Sequence, residues 1–321
     1  TVEVHQTAPT SSDVSFDLEL VATRINFAGT GELPVVTRNT VLKCRALDGS
    51  QWSALNEAFF QVGPSALEPG EVAVTELNFN PPGDDGSEFV ELANLSSRAV
   101  NLRGARFAEG IDYAFPDNRD TLLAPGQRLV LVNDLFRFQQ RYSPDVPVGG
   151  GYFGSLDNGG ERLTLIDAAT NAITGFTYDG AKPWPTGADG GGYTLALAHP
   201  QLGLDNPAAW RTSVTTNGTP GGTDATFFTG DPLADADGDG LPALLEYALG
   251  TSDTNALSGL GTVVAGFDLA GNFTVSFPRN LRADDVLITA EISTDLIAWS
   301  PASLLATRTL VPGVASETWG S

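Results

Sequence analysis

Apolar and polar residues alternate with a period of two over much of this chain, the spacing that turns one face of a β-strand toward a core. The run Val14-Ser15-Phe16-Asp17-Leu18-Glu19-Leu20 is a clear instance, and Val2-Glu3-Val4-His5 before it reads as a further strand. Residues 33–62 predict three short strands, with Asp48-Gly49 marking a hairpin turn. Gly63-Pro64 and Glu68-Pro69-Gly70 punctuate a linker. VAVTELNF, SEFVELAN, AVNLRGARF, QRLVLVND, ERLTLIDA and AITGFTYDG then follow as strands. Turn residues separate them, among them Pro81-Pro82-Gly83, Pro125-Gly126 and Asn158-Gly159-Gly160. Six or more strands at this spacing predict a β-sandwich of immunoglobulin (Ig) type. Residues 135–142 are the one short helix within it. Alternation returns near the end in FTVSFPRN and VLITAEISTDLIAWSPA. The fold class expected is all-β, an Ig-like sandwich flanked by small β modules, with boundaries at 1–20, 21–63, 71–225, 231–252 and 260–321. No period repeats over several units, so the modules are unlike one another.

Composition agrees with short strands joined by turns. The 321 residues include 36 Gly and 20 Pro, with 41% hydrophobic and only 17% charged residues. Seventeen Lys and Arg stand against 39 Asp and Glu, a net charge of −22. Such a surface repels phosphate backbones and anionic headgroups, which argues against nucleic acid and membrane partners, and attracts divalent cations or basic groups. Acidity also serves solubility alone. A single cysteine, Cys44, allows no disulfide within the chain and reads as a small buried hydrophobe. Met is absent, so Thr1 is not a translation start and the chain reads as a fragment or a processed form. No apolar run approaches the ~18 residues of a membrane span.

One stretch carries chemistry. DADGDGLPALLE fits D-x-D-x-D-G-x5-E without a gap, with Asp235, Asp237, Asp239 and Glu246 at loop positions 1, 3, 5 and 12 and Gly240 at position 6. Calcium takes six to eight hard oxygens at about 2.3–2.6 Å, and this spacing wraps them round one ion. Leu241 offers its backbone carbonyl at position 7, and Glu246 closes the site with both oxygens. The competing reading is a solvated acidic turn. FFTGDPLA before the loop does not read as an entering helix, whereas Pro242 at N1 followed by ALLEYALG starts a short exiting helix that ends at Gly250. This half of an EF-hand is similar to the calcium loops of dockerins and thrombospondin type 3 repeats. A lone site of this kind suits a clamp between modules better than a sensor.

Resemblances to known modules run along the chain. VEVHQTAPTSSDVSFDLEL resembles the last strands of a galactose-binding-like jelly roll. TVLKCRALDGSQWSALNEAFFQV is similar to the small Ig-like module that follows the catalytic domain of chitobiases. VTELNFNPPGDDGSEFVELANLSSRAVNLRGARF, LAPGQRLVLVND and GGYFGSLDNGGERLTLIDAATNAITGFTYDGAKPWP resemble a bacterial lamin-tail domain, over about the middle 130 residues. The last stretch resembles a small β module that closes many bacterial surface proteins. The lamin-tail resemblance implies an Ig-like sandwich that scaffolds or docks partners in large secreted or surface proteins, and brings no catalytic residues with it. Together these imply an extracellular calcium-binding module, secreted or at the cell surface, whose partners are other protein modules or surface polysaccharide.

Two alternatives stay open. A glycoside hydrolase needs paired carboxylates, and Glu76 with Glu91 would supply them. Glu88 and Glu91 differ by an odd number, so they take opposite faces of a strand, and polar strand residues are expected to face water. A carbohydrate-binding module would use Trp184, Trp210 and Tyr178 as a sugar platform, with core packing as the competing reading; Trp52 reads as a hairpin-packing residue. His199 beside Pro200 reads as a surface or edge residue. No nucleophile motif accompanies His5 or His199, and the glycine-rich run at 187–193 reads as a loop.

Overall fold

A computed structural model describes residues 67–321 apart from 84, 260–262, 312 and 321, and residues 15–20, 23–27, 40–48, 51–54 and 56–60 before them. His5 lies outside the described residues, as does the side chain of Cys44. The chain divides into two compact units, Thr1–Ala66 and Leu67–Ser321.

In the first unit, β1 (Ser15–Leu20), β2 (Thr23–Phe27), β3 (Thr40–Asp48), β4 (Gln51–Trp52) and β5 (Asn56–Phe60) form one antiparallel sheet. Its order is β2-β1-β3-β4, with β5 also on β3. Asp48 pairs with Gln51 and Leu47 with Trp52, the hairpin that Asp48-Gly49 predicts. The expected boundary after residue 20 falls inside this sheet, because β1 is hydrogen-bonded to both β2 and β3.

The second unit begins with β6 (Val72–Asn78), β7 (Phe89–Asn94), β8 (Val100–Asn101), β9 (Arg106–Glu109), β10 (Leu122–Leu123) and β11 (Arg128–Val132). Helix α1 (Leu135–Arg141), β12 (Val148–Gly151), β13 (Arg162–Ile166), β14 (Ala172–Thr177), β15 (Leu195–Leu197) and β16 (Trp210–Thr212) follow. A six-stranded sheet in the order β12-β11-β7-β6-β15-β16 faces the three-stranded sheet β14-β13-β9. Val74, Leu77, Val90, Leu92 and Leu131 from the first meet Phe107, Leu163, Leu165, Ile173 and Phe176 from the second. Each such side chain removed from water contributes about 1.5–3 kcal/mol, and the strand alternation aims them at one another. This is an Ig-like sandwich, and the described residues are mostly β.

The outer face of the six-stranded sheet is covered as well. Asp134 caps α1 by accepting from Phe136 N and Arg137 N, and the helix sets Phe138 on Phe89, Val130 and Val132. Beside it the segment 213–222 crosses the sheet, with Ser213 N bonded to Thr194 O and the Tyr142 hydroxyl donating to Asn217 O.

Helix α2 (Ala243–Leu249) begins after Pro242, which stands at the cap and not at the first helical position, and ends at Gly250 in the left-handed region. The sheet β17-β18-β22-β21 closes the chain, formed by β17 (Val264–Phe267), β18 (Phe273–Asn280), β21 (Ser303–Val311) and β22 (Val314–Gly320). β19 (Glu291–Ile292) and β20 (Ser300–Pro301) pair beside it. Buried polar contacts of two arginines join this C-terminal sheet to the sandwich. Arg211 on β16 binds Asp224 and Asp284, and Arg279 on β18 binds Glu317 and touches His199. No helix among the described residues is long and apolar enough to cross a membrane.

Candidate metal centre

The chain leaves the sandwich at β16, crosses the outer face of the sheet, and turns at 231–234 without forming a helix, as the Gly and Pro there predict. The acidic loop then folds on its own carboxylates. Gly238 N and Gly240 N donate to the two oxygens of Asp235 at 2.8 and 3.0 Å. Asp239 N donates to Asp237 Oδ1 and Leu241 N to Asp239 Oδ1. Gly240 has φ 92°, a conformation that leaves position 6 to glycine. The start of α2 closes the loop, with Ala243 N donating to Ala234 O at 2.7 Å.

These turns gather one oxygen each from Asp235, Asp237 and Asp239 to within 4.8 Å of one another. Oxygens about 2.4 Å from one calcium ion are at most about 4.8 Å apart, so a single ion can touch all three. Glu246 arrives from the first turn of α2 and is wholly buried. Its Oε1 accepts from Thr251 Oγ1, and its Oε2 has no hydrogen-bond partner, nor does the buried Oδ2 of Asp237. Burial raises the Glu246 carboxyl, the Thr251 bond opposes that, and the charges of Asp237 and Asp239 raise it further. A carboxylate oxygen shut off from water without a partner is disfavoured unless a cation or proton meets it. No Lys or Arg occurs between Arg211 and Arg279 to do so. The donor set is all hard oxygen, and it fits calcium.

Two residues that spacing did not mark also belong here. Thr251 holds one oxygen of Glu246, and Asp253 accepts from Ala236 N inside the loop. Both lie beyond the twelve positions of the motif, so only the fold of the chain after α2 brings them in. They line a cavity of about 390 Å³ with Phe227, Phe228 and Tyr247.

The glutamates of the sandwich are placed otherwise than expected. Glu76 and Glu91 sit opposite each other on β6 and β7, beside a bulge between Val74 and Glu76. Both are buried, at 3% and 0% exposure, so the expectation that they face water is corrected. The reason is the segment 213–222. Glu76 accepts from Thr194 Oγ1 and Thr219 N, and Glu91 from Thr75 Oγ1, Gly221 N and the Arg128 guanidinium. Burial, and then the neighbouring charge of Glu91, push Glu76 up to about 8. The pair is brought together, but a polysaccharide reaches it only if this strap moves away. Glu88 takes the opposite face, as its odd spacing from Glu91 requires, and accepts from Tyr152 Oη and Leu156 N. Burial raises its carboxyl to about 7.

Trp184, Trp210 and Tyr178 are core residues and present no sugar platform. Trp210 stacks on Phe176 at 4.8 Å and its Nε1 donates to Leu204 O. Trp52 is 40% exposed. His199 is buried at 1% exposure, a correction to the surface reading. The C-terminal sheet covers it, and its Nε2 lies 2.7 Å from Arg279 Nη2. Burial, and then Arg279, lower it to about 4. The run at 187–193 begins in a short 3-10 helix, Thr186–Ala188, and continues as a loop, with no strand–helix unit around it.

Residues 65–180 match the family model of the Lamin Tail Domain. The match covers about a third of the chain, from just before β6 to just after β14. It agrees with the Ig-like sandwich described above and with a structural or interaction module. No curated protein and no solved structure matches this chain.

Proposed function

We propose that this chain is an extracellular, calcium-binding interaction module, secreted or at a cell surface, in which the lamin-tail sandwich docks other protein modules or surface glycans. Asp235, Asp237, Asp239 and Glu246 would hold the ion through carboxylates and Leu241 through its carbonyl. The observation that carries the reading is the gathering of three aspartate oxygens within 4.8 Å, with Glu246 outside that group but buried close enough to feel the charges of Asp237 and Asp239, its Oε2 without a hydrogen-bond partner. The ion would supply charge neutralisation and fix the loop, with no reaction to perform. A single half-EF-hand suits the weak extracellular range, ~10⁻⁴–10⁻³ M. The acidic surface and the lamin-tail match support a docking role.

Calorimetric titration of EDTA-treated, dialysed protein with calcium tests it. One site with Kd of ~0.1–1 mM is expected, with at least tenfold weaker binding in Glu246→Gln. No heat of binding up to 10 mM calcium would reject the metal centre.

A further inference from the structure

We propose that metal occupancy of the acidic loop controls how firmly the C-terminal sheet is held, with Tyr247 as the coupling residue, an inference that rests on the calcium reading above. Glu246 and Tyr247 are neighbours on α2, so their side chains leave the helix about 100° apart. The first turns back to the loop. The second reaches the other way, where its hydroxyl lies 2.9 Å from Thr226 O, 3.0 Å from Thr226 Oγ1 and 3.1 Å from Asp285 Oδ1.

Three pieces of chain meet at that hydroxyl. Thr226 N donates to Arg282 O at 2.7 Å, so the segment after the sandwich pairs with the turn after β18. Asp285 also accepts from Phe228 N through its second oxygen. Asn280 Nδ2, at the end of β18, donates to the carbonyl of Tyr247 itself at 3.0 Å. Two residues further along, Leu249 is buried against Phe277 of β18 and Trp319 of β22. Residues 246, 247 and 249 of one seven-residue helix therefore face the charges of the acidic loop, the linker and the C-terminal sheet in turn.

A helix of two turns moves as one piece. With a cation in the loop, the unpartnered Glu246 oxygen is matched and the start of α2 is fixed. Without one, the carboxylates of Asp237, Asp239 and Glu246 repel, and the shift that relieves them draws Glu246 toward water. The same shift pulls Tyr247 off Thr226 and Asp285 and loosens Leu249. The Arg211–Asp284 and Arg279–His199 contacts also hold the sheet to the sandwich, the first of them through the residue next to Asp285. Calcium thus strengthens one of several attachments, which also include Arg282 Nη1 on Asp224 O and Leu281 and Ala315 packed with Val214, and its effect falls on α2, the turn at 280–285 and strands β18 and β22.

Hydrogen exchange by mass spectrometry on the whole chain, with and without 10 mM calcium, tests this, alongside calorimetry on the same samples. Amides of Phe273–Asn280 and Val314–Gly320 are expected to gain about tenfold to a hundredfold protection, the factor 1 + [Ca]/Kd for Kd of ~1 to ~0.1 mM. Amides of β6 and β7 change by less than about threefold. Tyr247→Phe is expected to bind calcium with unaltered affinity and to lose most of the gain in β18 and β22. Asp285→Asn, which keeps the shape of the turn, does the same and serves where the first variant folds poorly. Variants that bind calcium and keep the full gain would overturn the coupling, as would a wild-type protein that binds the ion with no change in those strands. A wild-type protein that binds no calcium overturns the metal reading itself, and the affinity measurement tells the two failures apart.

Discussion

Replacing Glu76 by Gln removes the proton that the sandwich interior forces onto this carboxyl, and the stability curve against pH shows it. Glu76 is raised from 4.5 to about 8, first by burial and then by Glu91 across the ladder. A carboxyl whose folded value is raised favours the folded state fully below its unfolded value. Its contribution falls as pH rises from about 4.5 to about 8 and is then constant. Glu91 across the ladder is raised too, so the fall belongs to the pair, and at ~1.4 kcal/mol per unit it amounts to several kcal/mol. Gln keeps an acceptor for Thr194 Oγ1 and Thr219 N and cannot ionise, so Glu76→Gln should lack this fall. Glu88, raised to about 7, falls over a similar window, and His199 acts with the opposite sign between about 4 and 6.5, overlapping its acid half. Taking the difference between wild type and variant removes both. The assay is urea unfolding at pH 5, 6, 7 and 8, with the difference growing in favour of Gln by several kcal/mol across that range. Parallel curves for the two proteins would refute the reasoning, because Glu76 would then ionise as freely folded as unfolded.

Three further outcomes follow from the same structure. His199, lowered from 6.5 to about 4, must stay neutral when folded, so stability is lost as pH falls from about 6.5 to about 4; His199→Gln should reduce that loss by up to about 3 kcal/mol in acid unfolding curves. Gly218 has φ 80°, and a Cβ there would lie 2.0 Å from Glu76 Oε1 and 2.6 Å from Thr194 Cγ2; Gly218→Ala should destabilise by about 2 kcal/mol or more in urea melts. Chelation should lower the melting temperature by roughly 3–10 °C relative to 10 mM calcium. Asp235→Ala should make the melts with calcium and EDTA coincide, by removing the first aspartate of the loop.

Strand positions and turns were legible because alternation and Gly, Pro and Asn spacing act locally. The same holds for α2, which ends at Gly250 as its pattern requires, and for the gathering of Asp235, Asp237 and Asp239, which lie within five residues. Alternation tells which residues share a face. It does not tell whether that face is covered. Val90 and Leu92 point into the sandwich and Phe89 and Glu91 point away from it, yet all are buried. Phe138 of α1 covers Phe89, and the strap bearing Thr219 and Gly221 covers Glu76 and Glu91 from more than a hundred residues away. The burial of His199 has the same cause, since Arg279, held by Glu317, reaches it from a distant strand. Thr251 and Asp253 follow the motif and join the site only through the path of the chain after Gly250.

A crystal structure of the protein grown in millimolar calcium tests the central claim most directly. The account predicts one ion in the acidic loop, about 2.3–2.6 Å from oxygens of Asp235, Asp237, Asp239, Leu241 and Glu246, with the Glu246 Oε2 that now has no hydrogen-bond partner facing it. An ordered loop holding only water, with its aspartates turned apart, would contradict it.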